Sequence, residues 1–249
     1  MERRRRFELA VPELFLGLLS LALAAVWVAH MFASTIHEAR HARDTMTITG
    51  SARKPITSNL VRWSLSVSGV ARTPQTAAHT MRSDLGTVEA FLRSGGVPAS
   101  AMTESVVQSE TIVTRISKKK TRTTYRVTQG LGVSTSKIDV VEGVSTRLVL
   151  LIERGIDVSA EPLEYISTDL AQAKLDALEA ATEEARRRAD ILVRGLGGKL
   201  GAMRSSSLGV YQITPRDSTD VSDYGINDTS TRDKDVTAVV TATFAVKRS

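Results

Sequence analysis

Four consecutive arginines, Arg3 to Arg6, stand ahead of an almost wholly apolar run from Leu14 to Ile36. No other feature restricts the fold of this chain so sharply. The run has His30 as its one ionisable group, and as a helix rising about 1.5 Å per residue it would reach about 34 Å, enough to cross a hydrocarbon core. Four arginines on the near flank outnumber Arg40 and Arg43 on the far one, which sets the amino end in the cytoplasm and the rest outside. An Ala22-Leu23-Ala24 triplet has the small-x-small form of a cleavage site. The apolar residues continue past it through Val26, Trp27, Val28, Met31 and Phe32, so the length favours an uncleaved anchor. Trp27 and His30 suit the outer interface, where amphipathic rings prefer to sit.

The expected organisation is therefore a basic cytoplasmic segment over residues 1–13, a membrane anchor over 14–36, a polar stalk over 37–45 and an exported domain over 46–249. The last is long enough for a real hydrophobic core. With no cysteine, an exported chain must hold itself together by packing, and thiolate or zinc-thiolate catalysis is excluded. The net charge is +6, of which residues 1–13 supply +1 (four arginines against three glutamates). Acidic and basic residues are otherwise interleaved and aromatics are scarce, a pattern unlike that of a nucleic-acid binder.

Periodicity supplies the elements. In Leu60–Val70 the residues Val61, Trp63, Leu65 and Val67 alternate with Arg62, Ser64, Ser66 and Ser68, which predicts a strand with one buried face. A strand near Met46–Ala52 precedes it. Thr73-Pro74 opens a helix by cap and first-turn proline. Ala77, Met81, Leu85, Val88 and Leu92 keep its spacing until Gly95-Gly96. Strands are expected near Met102–Ile116 and Arg122–Ser134, joined by the charged tip Ser117-Lys118-Lys119-Lys120-Thr121. A helix near Lys137–Arg154 and a strand near Leu163–Ser167 follow. A helix near Asp169–Leu196 repeats alanine at 177, 181, 185 and 189, flanked by Leu170, Leu178 and Leu192; such a stripe permits close approach to a neighbour. Strands near Ala202–Ile213 and Val236–Lys247 bracket a polar loop, Pro215–Asp235. The order β-β-α-β-β-α-β-α-β-β implies an α+β fold of long antiparallel strands with helices on one sheet face.

Three stretches carry possible chemistry. His37-Glu38-Ala39-Arg40-His41 spells H-E-x-x-H, which on a helix places His37 and His41 on one face as zinc ligands with Glu38 as general base. A catalytic zinc also needs a third ligand and a buried surround, and this polar stalk has no apolar face on which to build one. Gly195 to Gly201 is glycine-rich but follows a helix, whereas a phosphate loop precedes one, so it reads as a helix stop and tight turn. Asp217, Asp220, Asp223, Asp228, Asp233 and Asp235 lack the register of a calcium loop. Lys118 to Lys120 could meet an acidic lipid or polymer, or simply guard a strand edge. No catalytic, cofactor-binding or firm metal site emerges, and no cofactor is implied.

Taken together, Ile48-Thr49-Gly50-Ser51-Ala52, Tyr125-Arg126-Val127-Thr128-Gln129, Ala177-Leu178-Glu179-Ala180-Ala181 with Ala185 and Ala189, and Gly198-Lys199-Leu200-Gly201 resemble the SIMPL-domain family of bacterial exported proteins. The resemblance covers roughly residues 46–248. It implies an α+β domain outside the cytoplasmic membrane, no established enzyme activity and no catalytic residues to carry over. It also implies relatives linked to envelope or oxidative stress, some forming large ring- or barrel-like homo-oligomers. The chain departs from many relatives in keeping its membrane helix, and the Pro215–Asp235 loop matches no motif of the family. The expectation is a non-enzymatic, membrane-anchored envelope protein whose partners are itself and, through Leu14–Ile36, the bilayer. A zinc hydrolase using His37, Glu38 and His41, or a polymer- or lipid-binding module, is the alternative.

Overall fold

The computed structural model describes residues 44–118 and 120–248, together with Gly17, Leu21, Ala22, Trp27 and Val28, which are helical. Among the described residues no helix is long and apolar enough to cross a membrane. Apart from those five residues, the expected basic segment and anchor lie outside them, as does the stalk up to Arg43. The rest is α+β, with strands in two sheets. The elements are β1 (Thr45–Thr57), β2 (Leu60–Ala71), α1 (Pro74–Ser94), β3 (Met102–Glu104), β4 (Gln108–Ser117), β5 (Lys120–Thr135), α2 (Ile138–Ser145), α3 (Val149–Glu153), β6 (Asp157–Ala160), β7 (Glu164–Ile166), α4 (Leu170–Gly195), β8 (Gly198–Leu208), β9 (Gln212–Pro215), β10 (Ile226–Asn227) and β11 (Asp233–Arg248). The chain divides into two compact units, and β1, α4 and β11 contribute residues to both.

The larger unit comprises Ser51–Ala181 and Gly209–Val239. Its six-stranded sheet runs β3-β5-β2-β6, with β4 also beside β5 and β7 beside β2, all antiparallel. The alternation of β2 is realised: Val61, Trp63, Leu65 and Val67 are buried, and the Trp63 indole donates to Glu161 O at 3.0 Å. Each such side chain contributes roughly 1.5–3 kcal/mol on burial. Helix α1 packs Ala77, Met81, Leu85, Val88 and Leu92 into the same core. The Thr73 hydroxyl accepts from Thr76 N at 3.2 Å, Pro74 occupies the first turn, and Gly96 (φ +97°) lets Val97 N reach back to Leu92 O. The backbones of β2 and α1 come so close that a Cβ at Gly69 would lie 2.2 Å from Ala77 O and 2.5 Å from Met81 N.

The smaller unit comprises Thr182–Leu208 with the described residues of Met1–Gly50 and Val240–Ser249. Here β8 pairs antiparallel with β11 from Val240↔Leu208 to Arg248↔Gly198 through two irregularities. On the other side of β11, Val246 N donates to Asp44 O, and the Thr47 and Thr243 hydroxyls meet at 2.9 Å. Ala185 and Ala189 pack on Ala242 and Phe244, with Ile48 and Leu200 alongside. In this unit, then, the neighbour that the alanine stripe approaches is a strand. Leu192 points outward, 47 % exposed.

Three expectations need correction. The strand expected over Met102–Ile116 is two, because Glu104 lies opposite Leu131 while Gln108 lies opposite Thr128. One extra residue on this strand moves every later side chain to the other face. The helix expected over Lys137–Arg154 breaks at 146–148, where Ser145, Thr146 and Arg147 side chains hydrogen-bond Glu142 and Gly143 carbonyls and compete with the helical ladder. The strand expected over Ala202–Ile213 splits at Gly209 into β8 and β9. The short strands β6, with Val158 and Ala160, and β10, with Ile226, carry too little pattern to be visible.

Gly69→Ala should lower stability by about 3 kcal/mol or more, because the clash is with backbone. Gly86→Ala, in the same helix-packed region but with nothing within 4 Å of its added Cβ, should raise it by about 0.5–1 kcal/mol. Urea midpoints of the two variants check both signs.

Candidate functional site

Lys234 occupies the inward-facing parity of β11, two residues before Val236, and its side chain is only 4 % exposed. A buried ammonium is tolerated only with partners, and this one has three. It donates to Tyr165 O at 2.7 Å and to Asp228 O at 2.5 Å, and the Asp228 carboxylate lies 3.9 Å away. Asp228 in turn accepts from Ser230 N (3.0 Å), Ser230 Oγ (2.6 Å), Thr231 N (3.2 Å) and the Thr231 hydroxyl.

The cluster extends to the six-stranded sheet and α2. Tyr165 N donates to Thr229 O at 2.7 Å, the Tyr165 phenol donates to Glu142 Oε1 at 2.8 Å, and Arg232 pairs with Asp139 at 2.5 Å. Burial, together with the Glu142 carboxylate, pushes the Tyr165 phenol up to about 12. Thus one end of the Pro215–Asp235 loop is fastened to β7 and α2. Its two ends are also stitched to β1. The Thr57 hydroxyl donates to Asp233 at 2.6 Å, Arg53 reaches buried Asp235 at 3.5 Å and Ser218 O at 3.3 Å, and Arg216 donates to Ile56 O at 3.5 Å. Asp217, in the left-handed region at φ +63°, donates its N–H to Asp235 Oδ2.

Between these anchors the loop is held at Ser222. The buried Gln212 amide donates to Ser222 O at 2.7 Å and accepts from Ser222 N at 3.3 Å, while Gly225 (φ +83°) closes the turn onto Ser222 O. Val221 and Tyr224, on either side, stand 82 % and 97 % exposed. The arrangement is a fastened platform that displays an apolar pair beside Asp217, Asp220 and Asp223.

The second exposed feature is the ribbon of β4 and the first half of β5. Nine of the ten β4 positions are exposed, and among the described residues β4 pairs with β5 alone. Val113 and Ile116 are 62 % and 48 % exposed. Lys118 stands at its tip with Lys120, and Lys119 lies outside the described residues.

The other sequence candidates fall out as follows. His37, Glu38 and His41 lie outside the described residues. Among the described residues no three His, Cys, Asp or Glu side chains converge on a position that could hold a metal ion. Of the expected stop and turn over Gly195 to Gly201, the helix stop at Gly195 and the turn at Leu196-Gly197 (Gly197 φ +77°) are present, while Gly198 to Gly201 already belong to β8. The six aspartates do not act together: half-buried Asp228 and buried Asp235 are structural acceptors, Asp233 accepts from Thr57, and Asp217, Asp220 and Asp223 are exposed. A cleft of about 260 Å³ lined by Glu89, Arg93, Ala99, Met102, Glu104 and Leu131 has its charges internally engaged, Arg93 by Glu89 and Glu104 by Gln129. Ser58 Oγ is buried without a hydrogen-bond partner among the described residues, and Lys234, held by two carbonyls, does not bond to it.

Sequence reasoning missed Lys234, Gln212 and Tyr224. The parity of Lys234 with Val236, Ala238 and Val240 was a legible signal of a buried charge; no pattern marked the other two.

The family model described as "SIMPL: Protein of unknown function (DUF541)" matches residues 46–244. No curated protein matches the chain.

Lys234→Met should destabilise by about 3–5 kcal/mol, since it leaves Asp228 and two carbonyls without their partner; chemical denaturation measures it. The pH dependence has a defined sign. Burial raises the Asp228 carboxyl, but hydrogen bonds from Ser230 and Thr231 and the Lys234 charge outweigh it and leave it below 3.8. Its stabilisation is complete above 3.8 and is lost as pH falls through the lowered native value. Burial, outweighing the Asp228 charge, lowers the Lys234 amine below 10.5, so its part of the stability rises as pH climbs from that lowered value past 10.5. Asp228→Asn should flatten the acid limb of stability against pH, read from denaturation midpoints.

Proposed function

The chain belongs to the SIMPL family, and from that premise we propose that it is a non-enzymatic, membrane-anchored cell-envelope protein, related to envelope stress, that self-assembles into a ring- or barrel-like homo-oligomer through residues 46–249. The observation that carries the reading is the β4–β5 ribbon. It is exposed over nearly its whole length and, among the described residues, leaves one β4 edge without a strand partner in the sheet. Long β-rich edges of this kind are templates for association unless they are blocked. An isolated two-stranded ribbon is marginal by itself, so association would also stabilise it.

The anchor reading rests on Arg3 to Arg6 and Leu14–Ile36. It makes the assembly single-pass, with each amino end in the cytoplasm, residues 37–45 as a spacer and the main domain on the far side of the membrane. A subunit fixed by one helix diffuses in two dimensions, which favours closed rings with all anchors on one side.

Light scattering of the detergent-solubilised full chain should give a protein mass several times 26.9 kDa; a strictly monomeric particle would overturn the self-assembly reading. Topology is separately testable because the chain has no cysteine. In intact cells with a permeabilised outer layer, a membrane-impermeant thiol reagent should label Glu179→Cys and spare Glu2→Cys. Labelling of both, or of Glu2→Cys alone, refutes the anchor.

A further inference from the structure

We infer that the self-assembly contact is head-to-tail, with the Val221–Tyr224 loop of one copy docking on the basic β4–β5 ribbon of the next; this rests on the self-assembly reading. The ribbon exposes Arg115, Lys118, Lys120, Arg122 and Arg126, and none of the five makes an ion pair among the described residues. Glu110, opposite Arg126, is its single acid. Among these cations stand the exposed Val113 and Ile116.

The complementary surface is in the same chain. Asp217, Asp220 and Asp223 are exposed and likewise make no ion pair among the described residues. Beside them are Val221 and Tyr224, at 82 % and 97 % exposure. An aromatic side chain so fully in water, on a loop pinned by the buried Gln212, has the character of an interface anchor held in place before binding. Opposite charge sets which surface meets which. Ribbon against ribbon would set five cations against five. Loop against ribbon sets three carboxylates and a tyrosine against cations and two aliphatic side chains. Such a contact is heterologous, so each copy retains a free ribbon at one end and a free loop at the other. Successive copies then close into a ring when the rotation permits.

The test uses the detergent-solubilised full chain, with mass read by light scattering across a dilution series. Tyr224→Ala, at a position whose side chain lies in water, should raise the subunit dissociation constant about 10-fold or more. Reversing the loop (Asp217→Lys, Asp220→Lys, Asp223→Lys) or the ribbon (Arg115→Glu, Lys118→Glu, Lys120→Glu, Arg122→Glu) should each give small particles. Both reversals in one chain, or an equal mixture of the two singly reversed chains, should restore the wild-type mass. A wild-type oligomer indifferent to Tyr224→Ala and to loop reversal overturns this contact and leaves the self-assembly reading intact. A wild-type monomer overturns both. Mass that responds to ribbon reversal alone, and only in micelles containing phosphatidylglycerol, identifies an anionic lipid as the ribbon's partner and also overturns the contact.

Discussion

The larger unit depends on the accommodation of one ammonium group. Lys234 sits on β11 at a position where the next inward residues are Val236 and Ala238, both fully buried. Removing an ammonium from water costs several kcal/mol even after relaxation, so the fold holds only if that cost is met locally. It is met by a chain segment far from any sheet centre: the Asp228 carbonyl and carboxylate, organised by Ser230 and Thr231, together with the Tyr165 carbonyl of β7. The consequence runs outward. Because Asp228 must return to Lys234, the polar loop cannot drift as a tether; it is fixed at Asp228, at Asp235 through Arg53, and at Ser222 through Gln212. A loop that composition alone reads as solvated filler thereby becomes a rigid display.

Much of this architecture was legible in the amino-acid order, where one physical rule acted alone. The strand β2 follows a strict two-residue period with Arg62 and serines on its outer face, and burial follows that period from Val61 to Val67. Helix α1 carries its cap, first-turn proline, stripe and terminating glycines in sequence, and no tertiary demand contradicts any of them. The alanine stripe was equally plain, although its spacing could not say that Ala185 and Ala189 would meet a strand through Ala242 and Phe244.

Legibility failed where two rules competed over a few residues. Val106 and Val107 are strand formers that give no sign of a break, yet the register shift between Glu104 and Gln108 is decided by pairing with β5 and by Ser105, whose hydroxyl accepts from Gly130 N. At 145–147 the side chains of Ser145, Thr146 and Arg147 capture carbonyls that a helix would use, an effect invisible to hydrophobic spacing. The site suffered most. Gln212 and Ser222 are ten residues apart, and their mutual hydrogen bonds follow from the parallel pairing of β9 with β10, which no local pattern announces.

The charges on the β4–β5 ribbon admit a defensive explanation, since lysine on an exposed edge opposes unwanted pairing. Defence, however, requires only that the edge be charged; it does not require one sign, nor an apolar residue left among the charges. Five exposed cations against one acid repel one another, and no described residue neutralises them. That cost is reasonable where a partner supplies the missing sign. Meanwhile Asp217, Asp220 and Asp223 share a fastened loop with a tyrosine in open water. Two incomplete surfaces on one chain, opposite in charge and each with an apolar centre, resist pairing like with like and favour pairing loop with ribbon. A purely protective edge would guard against every neighbour alike, whereas this pattern discriminates between them, and discrimination is what a subunit interface needs.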